Sequence, residues 1–160
     1  VLLVETGLTT GTGGRFKRIA KYLTEDTFLA TYGDSLSDVP IDRIIEHHRK
    51  LGVVATMCVM SSSQRFGVVR IANDKVVKFE EKPKTGSDLI NGGFFVFNRK
   101  IFDYLDDQCV FEKEPLARLV ADRQLAAYHH LGCHRAMDTL RDVQALNEEW
   151  NSGQAPWKTW

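Results

Sequence analysis

Two aspartates stand out, one where an apolar run gives way to a turn and one immediately before a capped helix. Asp34 follows Gly33 at the end of F28-LATYGD-S35, and Asp138 closes H134-RAM-D138 immediately before Thr139. Carboxylates are hard oxygen donors, and Mg²⁺ needs few of them when substrate phosphates fill its remaining positions. In open α/β sheets ligands gather outside the carboxyl ends of strands, which is the placement of Asp34. Gly33, lacking a Cβ, lets backbone or ligand approach closely. Each aspartate also has a plainer reading. Gly-Asp-Ser suits an Asx- or ST-turn, and Asp138 can cap the following helix in place of Thr139. Taken singly, the two stretches leave both readings open.

Three further segments carry polar chemistry. In F79-EEKP-K84, Pro83 biases Lys82 toward extended backbone, which would fix the directions of the Glu81 carboxylate and the Lys82 ammonium. A lysine so placed neutralises phosphate as a compact point charge, although Glu80 and Lys84 also make the segment read as a solvated charge run. In L89-INGGFFV-F97, two glycines interrupt an apolar strand, the mark of a bulge or of a backbone that something approaches. Asn91 beside Gly92 and Gly93 both donates and accepts, as a polyol such as a sugar requires, so a ligand is the favoured expectation there. Thr10-Gly11-Thr12-Gly13-Gly14-Arg15 offers flexible amides at a helix start, suited to an anion or a base edge and equally to a simple turn. It matches neither the G-K-[ST] phosphate loop nor GxGxxG. His47-His48 and His129-His130 are neighbours on a helix and on a strand, so neither pair shares a face for a metal. No GxSxG elbow occurs, and the serines at 61–63 read as a loop.

The elements that must position these residues follow from periodicity. Val1–Thr6 reads as a strand, and Phe16, Ile19, Ala20 and Leu23 mark one helical face. A strand over 28–32, a helix opened by Pro40 and stopped by Gly52, and a strong strand over 53–60 come next. Strand–helix–strand–helix–strand order with continuous apolar strands predicts α/β architecture and a mostly parallel sheet. Residues 66–71 and 76–80 predict a hairpin turning at Asn73-Asp74, followed by a strand over 89–97. Helical segments near 99–105 and 112–123 lead to a strand over 125–130. Thr139 and Asp142 have capping-box spacing before a last helix striped with Leu140, Val143, Leu146 and Trp150. The ending QAPWKTW is expected to pack back on the body.

Composition limits the alternatives. The chain has 160 residues, 43% of them apolar, and 21 basic residues balance 21 acidic ones. Zero net charge makes no electrostatic case for nucleic acid. Cys58, Cys109 and Cys133 are odd in number and far apart, which suggests neither a disulfide framework nor a zinc knuckle, and Cys58 reads as a buried hydrophobe. No apolar run is long enough to span a bilayer, and no charged region followed by a long apolar one opens the chain. A cytoplasmic protein is expected. Val1 begins a strand without a preceding turn, so part of the domain is expected to precede it. Two carboxylates for Mg²⁺, a lysine for phosphate, a glycine-rich polar strand for a polyol and no nucleophile suit nucleotidyl transfer from a nucleoside triphosphate to a sugar phosphate. That chemistry is mostly positioning and charge neutralisation.

In their order, TGTGGR (10–15), TYGD (31–34), RFG (65–67), FEEKP (79–83), NGGFFV (91–96), MDT (137–139) and APWKTW (155–160) resemble the sugar-nucleotide pyrophosphorylase family, and within it the glucose-1-phosphate cytidylyltransferases. The resemblance covers essentially the whole chain. It implies a Rossmann-like nucleotide-diphospho-sugar transferase fold with a mixed central sheet. It also implies reaction of CTP with α-D-glucose 1-phosphate to CDP-glucose and pyrophosphate, a Mg²⁺ cofactor, a homo-oligomer, and a place in O-antigen and lipopolysaccharide precursor synthesis. Carried over by residue, it gives Asp34 and Asp138 to the metal, and Asp34 and Lys82 to catalysis. Glu81 goes to the sugar and Lys82 to its phosphate. Tyr32, Gly33, Asn91, Gly92 and Gly93 line the substrate pocket, and Thr12, Gly13, Gly14 and Arg15 lie on the nucleotide side. Two family elements, G-G-x-G-T-R-L and K-P-M, do not occur here, and Ser35 replaces the usual glycine after TYGD. Residues 1–160 are therefore expected to form the C-terminal two thirds of one domain, weakly active or inactive alone. The alternatives are a UTP- or dTTP-dependent enzyme, or a noncatalytic fragment that binds nucleotide-sugar.

Overall fold

The computed structural model describes residues 1–61, 68–72, 75–80 and 89–159, with 68–72 and 75–80 described as backbone only. Its strands are β1 (Thr27–Thr31), β2 (Ser35–Ser37), β3 (Ala55–Ser61), β4 (Val68–Ala72), β5 (Lys75–Glu80), β6 (Leu89–Asn98), β7 (Leu125–His130) and β8 (His134–Ala136). Its helices are α1 (Thr12–Ile19), α2 (Ile41–Leu51), α3 (Glu114–Ala121) and α4 (Leu140–Asn151), with 3₁₀ turns at Ala20–Tyr22 and Arg99–Tyr104.

The central sheet has the order β1-β6-β3-β7. β6 runs antiparallel to both β1 and β3, while β3 and β7 are parallel. β1, β3 and β7 therefore point the same way, and β6 alone opposes them from between β1 and β3. This corrects the mostly parallel sheet: the strand directions largely agree, but inserting β6 makes two of the three ladders antiparallel. β6 earns its central place with the run Phe94–Phe97, whose alternate residues serve opposite faces. Phe95 and Phe97 join Ala55, Ile101, Phe111 and Leu119 on one face, against which Phe16 of α1 and Leu116 of α3 pack. Val96 joins Ile44, Cys58 and Met60 on the other, beneath α2. The result is helix, sheet and helix in three layers.

Helix boundaries follow local chemistry. α2 begins after Pro40 and ends at Gly52, whose φ of 62° is the left-handed conformation of a helix stop. Thr139 caps α4 through the full reciprocal box with Asp142. α1 starts earlier than its apolar spacing predicts, because Gly13 and Gly14 lie inside its first turn. Residues 1–7 form no strand. Val1, Leu2 and Leu3 are exposed, and apolar sequence does not make a strand without a neighbouring ladder. The helix expected near 99–105 is a 3₁₀ segment, whereas Leu125–His130 forms as expected. β4 and β5 pair as a hairpin, although its Asn73-Asp74 turn lies outside the described residues. Trp157 is buried beside Leu146 and Ala155, so the tail does fold back onto α4. No described helix is long and apolar enough to cross a membrane.

Candidate active site

The short ladder β2–β8, which periodicity did not reveal, is what brings the two aspartates together. Ser35 faces Ala136, Leu36 faces Arg135 and Ser37 faces His134. One step beyond, the Met137 amide donates to the Asp34 carbonyl at 2.8 Å. Asp34 and Asp138, 104 residues apart in sequence, thus arrive at the same end of one ladder. Thr139 itself provides the α4 cap, so Asp138 precedes that cap and does not serve as it. The Asp34 charge is also felt by the Tyr32 phenol, which places that carboxylate beside the substrate-pocket candidates.

A second network gathers those candidates. Glu112, unremarkable in sequence, is the residue that joins them. The Tyr32 hydroxyl donates to Glu112 Oε1, and the Thr12 hydroxyl donates to Glu112 Oε2 at 2.6 Å. Thr12 in turn accepts the Phe111 amide at 2.9 Å. Asn91 Nδ2 reaches the Tyr32 oxygen at 3.4 Å, and Asn91 Oδ1 accepts the Gly93 amide at 2.9 Å. The Tyr32 amide donates to the Gly93 carbonyl at 3.1 Å. Burial first, then the hydrogen bond and charge of Glu112, hold the Tyr32 phenol far above its ordinary range, so it remains a neutral donor.

The glycine pair in β6 sits in a register irregularity. Met57 pairs with Phe95 but Val59 pairs with Asn91, so Cys58 alone stands opposite Gly92, Gly93 and Phe94. Gly93 has φ 75°, which disfavours any side chain. A Cβ on Gly92 would come within 2.5 Å of Met60. The glycine pair thus marks a bulge, beside which Asn91 reaches Tyr32. Ser35 Oγ is buried beside Gly93 and finds no hydrogen-bond partner among the described residues. At Gly33 a Cβ would meet nothing within 4 Å among them.

The Thr12–Arg15 segment also packs and bonds within the chain. A Cβ on Gly14 would approach the Asp107 carbonyl at 2.5 Å, and one on Gly13 would collide with Cys109 Sγ. These glycines let α1 press against residues 107–109, a packing need that produces the same sequence pattern as an anion loop. Arg15 donates to Thr6 Oγ1 at 2.8 Å and to the Leu8 carbonyl at 3.2 Å. Glu81 and Lys82, like Arg65-Phe66-Gly67, lie outside the described residues. The histidines behave as expected of neighbours with separate faces: His48 is buried against Thr56, and His47 lies by the Ala127 carbonyl. Burial raises the Cys58 thiol to about 11, as befits an inert core residue.

A family model described as nucleotidyl transferase matches residues 3–139. The chain is 44% identical over 162 residues to the glucose-1-phosphate cytidylyltransferase of Salmonella typhimurium, an alignment covering 100% of this chain and 63% of that protein. It is 40% identical over 163 residues to the probable glucose-1-phosphate cytidylyltransferase of Bacillus subtilis, with the same coverage. The chain thus spans 63% of the length of these relatives. Among solved structures, HddC from Yersinia pseudotuberculosis complexed with GMP-PN superposes with a TM-score of 0.68 at 23% identity, over 92% of this chain and 65% of that one. UDP-glucose pyrophosphorylase complexed with UDP-glucose gives 0.65 at 14% identity, over 93% and 65%. At those identities the likeness is one of fold, and the fold is that of the nucleotide-diphospho-sugar transferases with a mixed sheet.

Proposed function

The chain belongs to the nucleotidyl transferase family, and from that premise we propose that its protein transfers a cytidylyl group from CTP to α-D-glucose 1-phosphate, giving CDP-glucose and pyrophosphate. The observation that carries this reading is 44% identity to a glucose-1-phosphate cytidylyltransferase across the whole chain. A phosphate oxygen of glucose 1-phosphate attacks the α-phosphorus of CTP. As that bond forms, the bond from the α-phosphorus to the bridging oxygen breaks, and pyrophosphate carries off the electron pair. No covalent enzyme intermediate is needed, because the sugar phosphate is itself the nucleophile.

Asp34 and Asp138 fit Mg²⁺ by their chemistry, as two oxygen donors delivered to one end of the β2–β8 ladder. When bound, the ion offsets charge accumulating on the phosphates. Lys82 steadies the sugar phosphate and Glu81 accepts from sugar hydroxyls, roles that rest on the resemblance. Tyr32, Gly33, Asn91, Gly92 and Gly93 form the sugar side, where Asn91 combines donor and acceptor beside close-approach backbone. Thr12, Gly13, Gly14 and Arg15 form the nucleotide side, with Glu112 tying Thr12 to Tyr32. The protein works in the cytoplasm as a homo-oligomer and feeds surface-polysaccharide synthesis.

The test is release of pyrophosphate from CTP, UTP, dTTP or ATP by the whole protein in the presence of glucose 1-phosphate and Mg²⁺, residues 1–160 alone being expected to turn over weakly or not at all. CTP-selective turnover, lowered at least about 100-fold by Asp34→Asn, is the expected result. Equal or better turnover with UTP or dTTP would transfer the assignment to another base, and undiminished turnover in Asp34→Asn would remove that residue from the site.

A further inference from the structure

The ladder that joins Asp34 to Asp138 is only three residue pairs long, and a two-stranded element of that size does not hold itself together in water. Its support lies at the opposite end. Asp38, the residue after β2, accepts the Cys133 amide at 2.6 Å and meets His130 Nε2 at 2.8 Å, both through Oδ1. Ser37 Oγ donates to the Cys133 carbonyl at 2.6 Å, and the Asp38 amide reaches the same carbonyl at 3.4 Å. His130 ends β7 and pairs with Met60 of β3, so this anchor belongs to the central sheet.

The arrangement is tight. The His130 side chain is 7% exposed and that of Asp38 29%. A Cβ on Gly132 would lie 2.5 Å from Asp38 Oδ1 and 2.7 Å from the His130 ring. Burial works against a charged Asp38, yet the His130 and Cys133 hydrogen bonds outweigh it and hold the carboxyl below its ordinary range. The group clamped is therefore the carboxylate, for which such bonds are at their strongest.

We propose that Asp38 and His130 are positioning residues. By gripping the end of β7 and the 131–133 turn, one carboxylate sets β2 on β8 and with it the approach of Asp34 to Asp138. Neither touches the reacting groups; they act through the ladder, as supporting residues orient metal ligands elsewhere. The consequence for metal binding rests on the proposed function, whereas the consequence for the ladder does not.

Native-state hydrogen exchange on the 160-residue chain tests the ladder directly. In Asp38→Ala the Met137 amide should exchange about 10-fold faster, while the Phe95 and Phe97 amides keep their wild-type rates. Asp38→Asn retains an acceptor for both donors and should stay within about threefold of wild type. Gly132→Ala displaces the same carboxylate without deleting it and should act in the same direction as Asp38→Ala, which keeps the test alive if the latter does not fold. An unchanged Met137 amide, or acceleration shared equally by Phe95 and Phe97, overturns the proposal. Titration with Mn²⁺ followed by electron paramagnetic resonance tests the consequence: Asp38→Ala should weaken wild-type binding about 10-fold and Asp38→Asn about threefold or less. Equal Mn²⁺ binding by wild type and Asp38→Ala overturns the clamp's role toward the site. A wild type that binds no Mn²⁺ instead sinks the metal assignment, and exchange at Met137 still decides the clamp.

Discussion

The two halves of β6 rest on different physics. From Phe94 to Asn98 the strand is held by apolar area: Phe95, Val96 and Phe97 are wholly buried, and helices cover both sheet faces. From Leu89 to Gly93 it carries two exposed aliphatic residues, one asparagine and two glycines. Leu89 to Asn91 keep their ladder to β3, and the side-chain ties beyond it are single hydrogen bonds to Tyr32 and within the strand. Apolar packing is redundant, because each ring has several neighbours. The side-chain contacts of the polar half have little redundancy, because each has one donor and one acceptor. Rigidity is thus concentrated behind the site, while its geometry is set by a small number of contacts.

The largest test of this contrast is in the apolar half. Phe97 has ring neighbours at Phe16, Phe28, Phe95 and Phe111, with centroids 5.7, 5.6, 5.4 and 5.4 Å away. Phe97→Ala should cost about 3–5 kcal/mol in urea unfolding. Asn91→Ala, in the polar half, should cost about 1 kcal/mol. Equal losses from the two variants would erase the distinction between the halves.

A smaller effect separates glycines that are needed for packing from glycines with room. Ala in place of a helical glycine ordinarily stabilises by about 0.5–1 kcal/mol. At Gly14 the new Cβ would meet the Asp107 carbonyl at 2.5 Å and Thr10 Cγ2 at 2.9 Å, and a backbone carbonyl yields poorly. Gly14→Ala should therefore lose about 1–3 kcal/mol, whereas Gly33→Ala should leave the melting temperature almost unchanged. A stabilised Gly14→Ala would mean that the segment is loose enough to serve as an anion loop.

These particular residues also show where reading from sequence succeeds. Phe95, Phe97, Ile44 and Cys58 lie in runs whose composition or period is itself the physical cause of their burial, so the core and most of β3, β6, β7 and α2 could be read locally. Asp34 and Asn91 were legible as site candidates because each breaks such a run, and Asp138 because it directly precedes a capped helix. The β2–β8 ladder was not, since three residues on either side, mostly polar and 97 or more apart, carry no periodic signal. Glu112 and Asp38 were missed for the same reason: their partners are distant in sequence and their types are common on surfaces. The glycines of α1 are ambiguous in a different way, since close packing and phosphate binding both demand a missing Cβ.

The Glu112 tie offers a finer probe of the polar side. Glu112 is exposed, so its two bonds should be worth only about 1 kcal/mol to stability. Its electrical effect is more distinctive. Glu112→Gln removes the charge that opposes ionisation of Tyr32, so that phenol should titrate closer to the ordinary tyrosine value, remaining above it through burial. Ring-carbon NMR chemical shifts followed against pH resolve Tyr32 from the other tyrosines. A phenol unmoved by Glu112→Gln would disconnect Glu112 from Tyr32, and with it Thr12 from Asn91.

The smallest expected effect distinguishes two acid responses. His48 is buried against Thr56, and burial, followed by the charges of Arg49 and His47, depresses its pKa below 6.5. Unfolding releases it to titrate normally, so below pH 6.5 the unfolded state binds a proton that the native state refuses. Stability is then complete above 6.5 and falls as the pH drops toward the native pKa, at no more than about 1.4 kcal/mol per pH unit from this one group. Asp38 behaves in a separate window. Its carboxyl is held below 3.8, so its contribution is complete above that value and disappears only as the pH falls through the lower native pKa. His48→Gln should flatten the stability curve between pH 6.5 and 5 while leaving the steeper loss below 3.8 in place. His134, whose pKa is also lowered by burial and by the nearby His130 and Arg135 charges, keeps part of the upper slope in that variant. Urea unfolding at pH 7.5, 6, 5 and 3.5 would separate the two windows, and identical slopes for wild type and His48→Gln above pH 5 would show that the core beneath α2 admits the charged imidazole without cost.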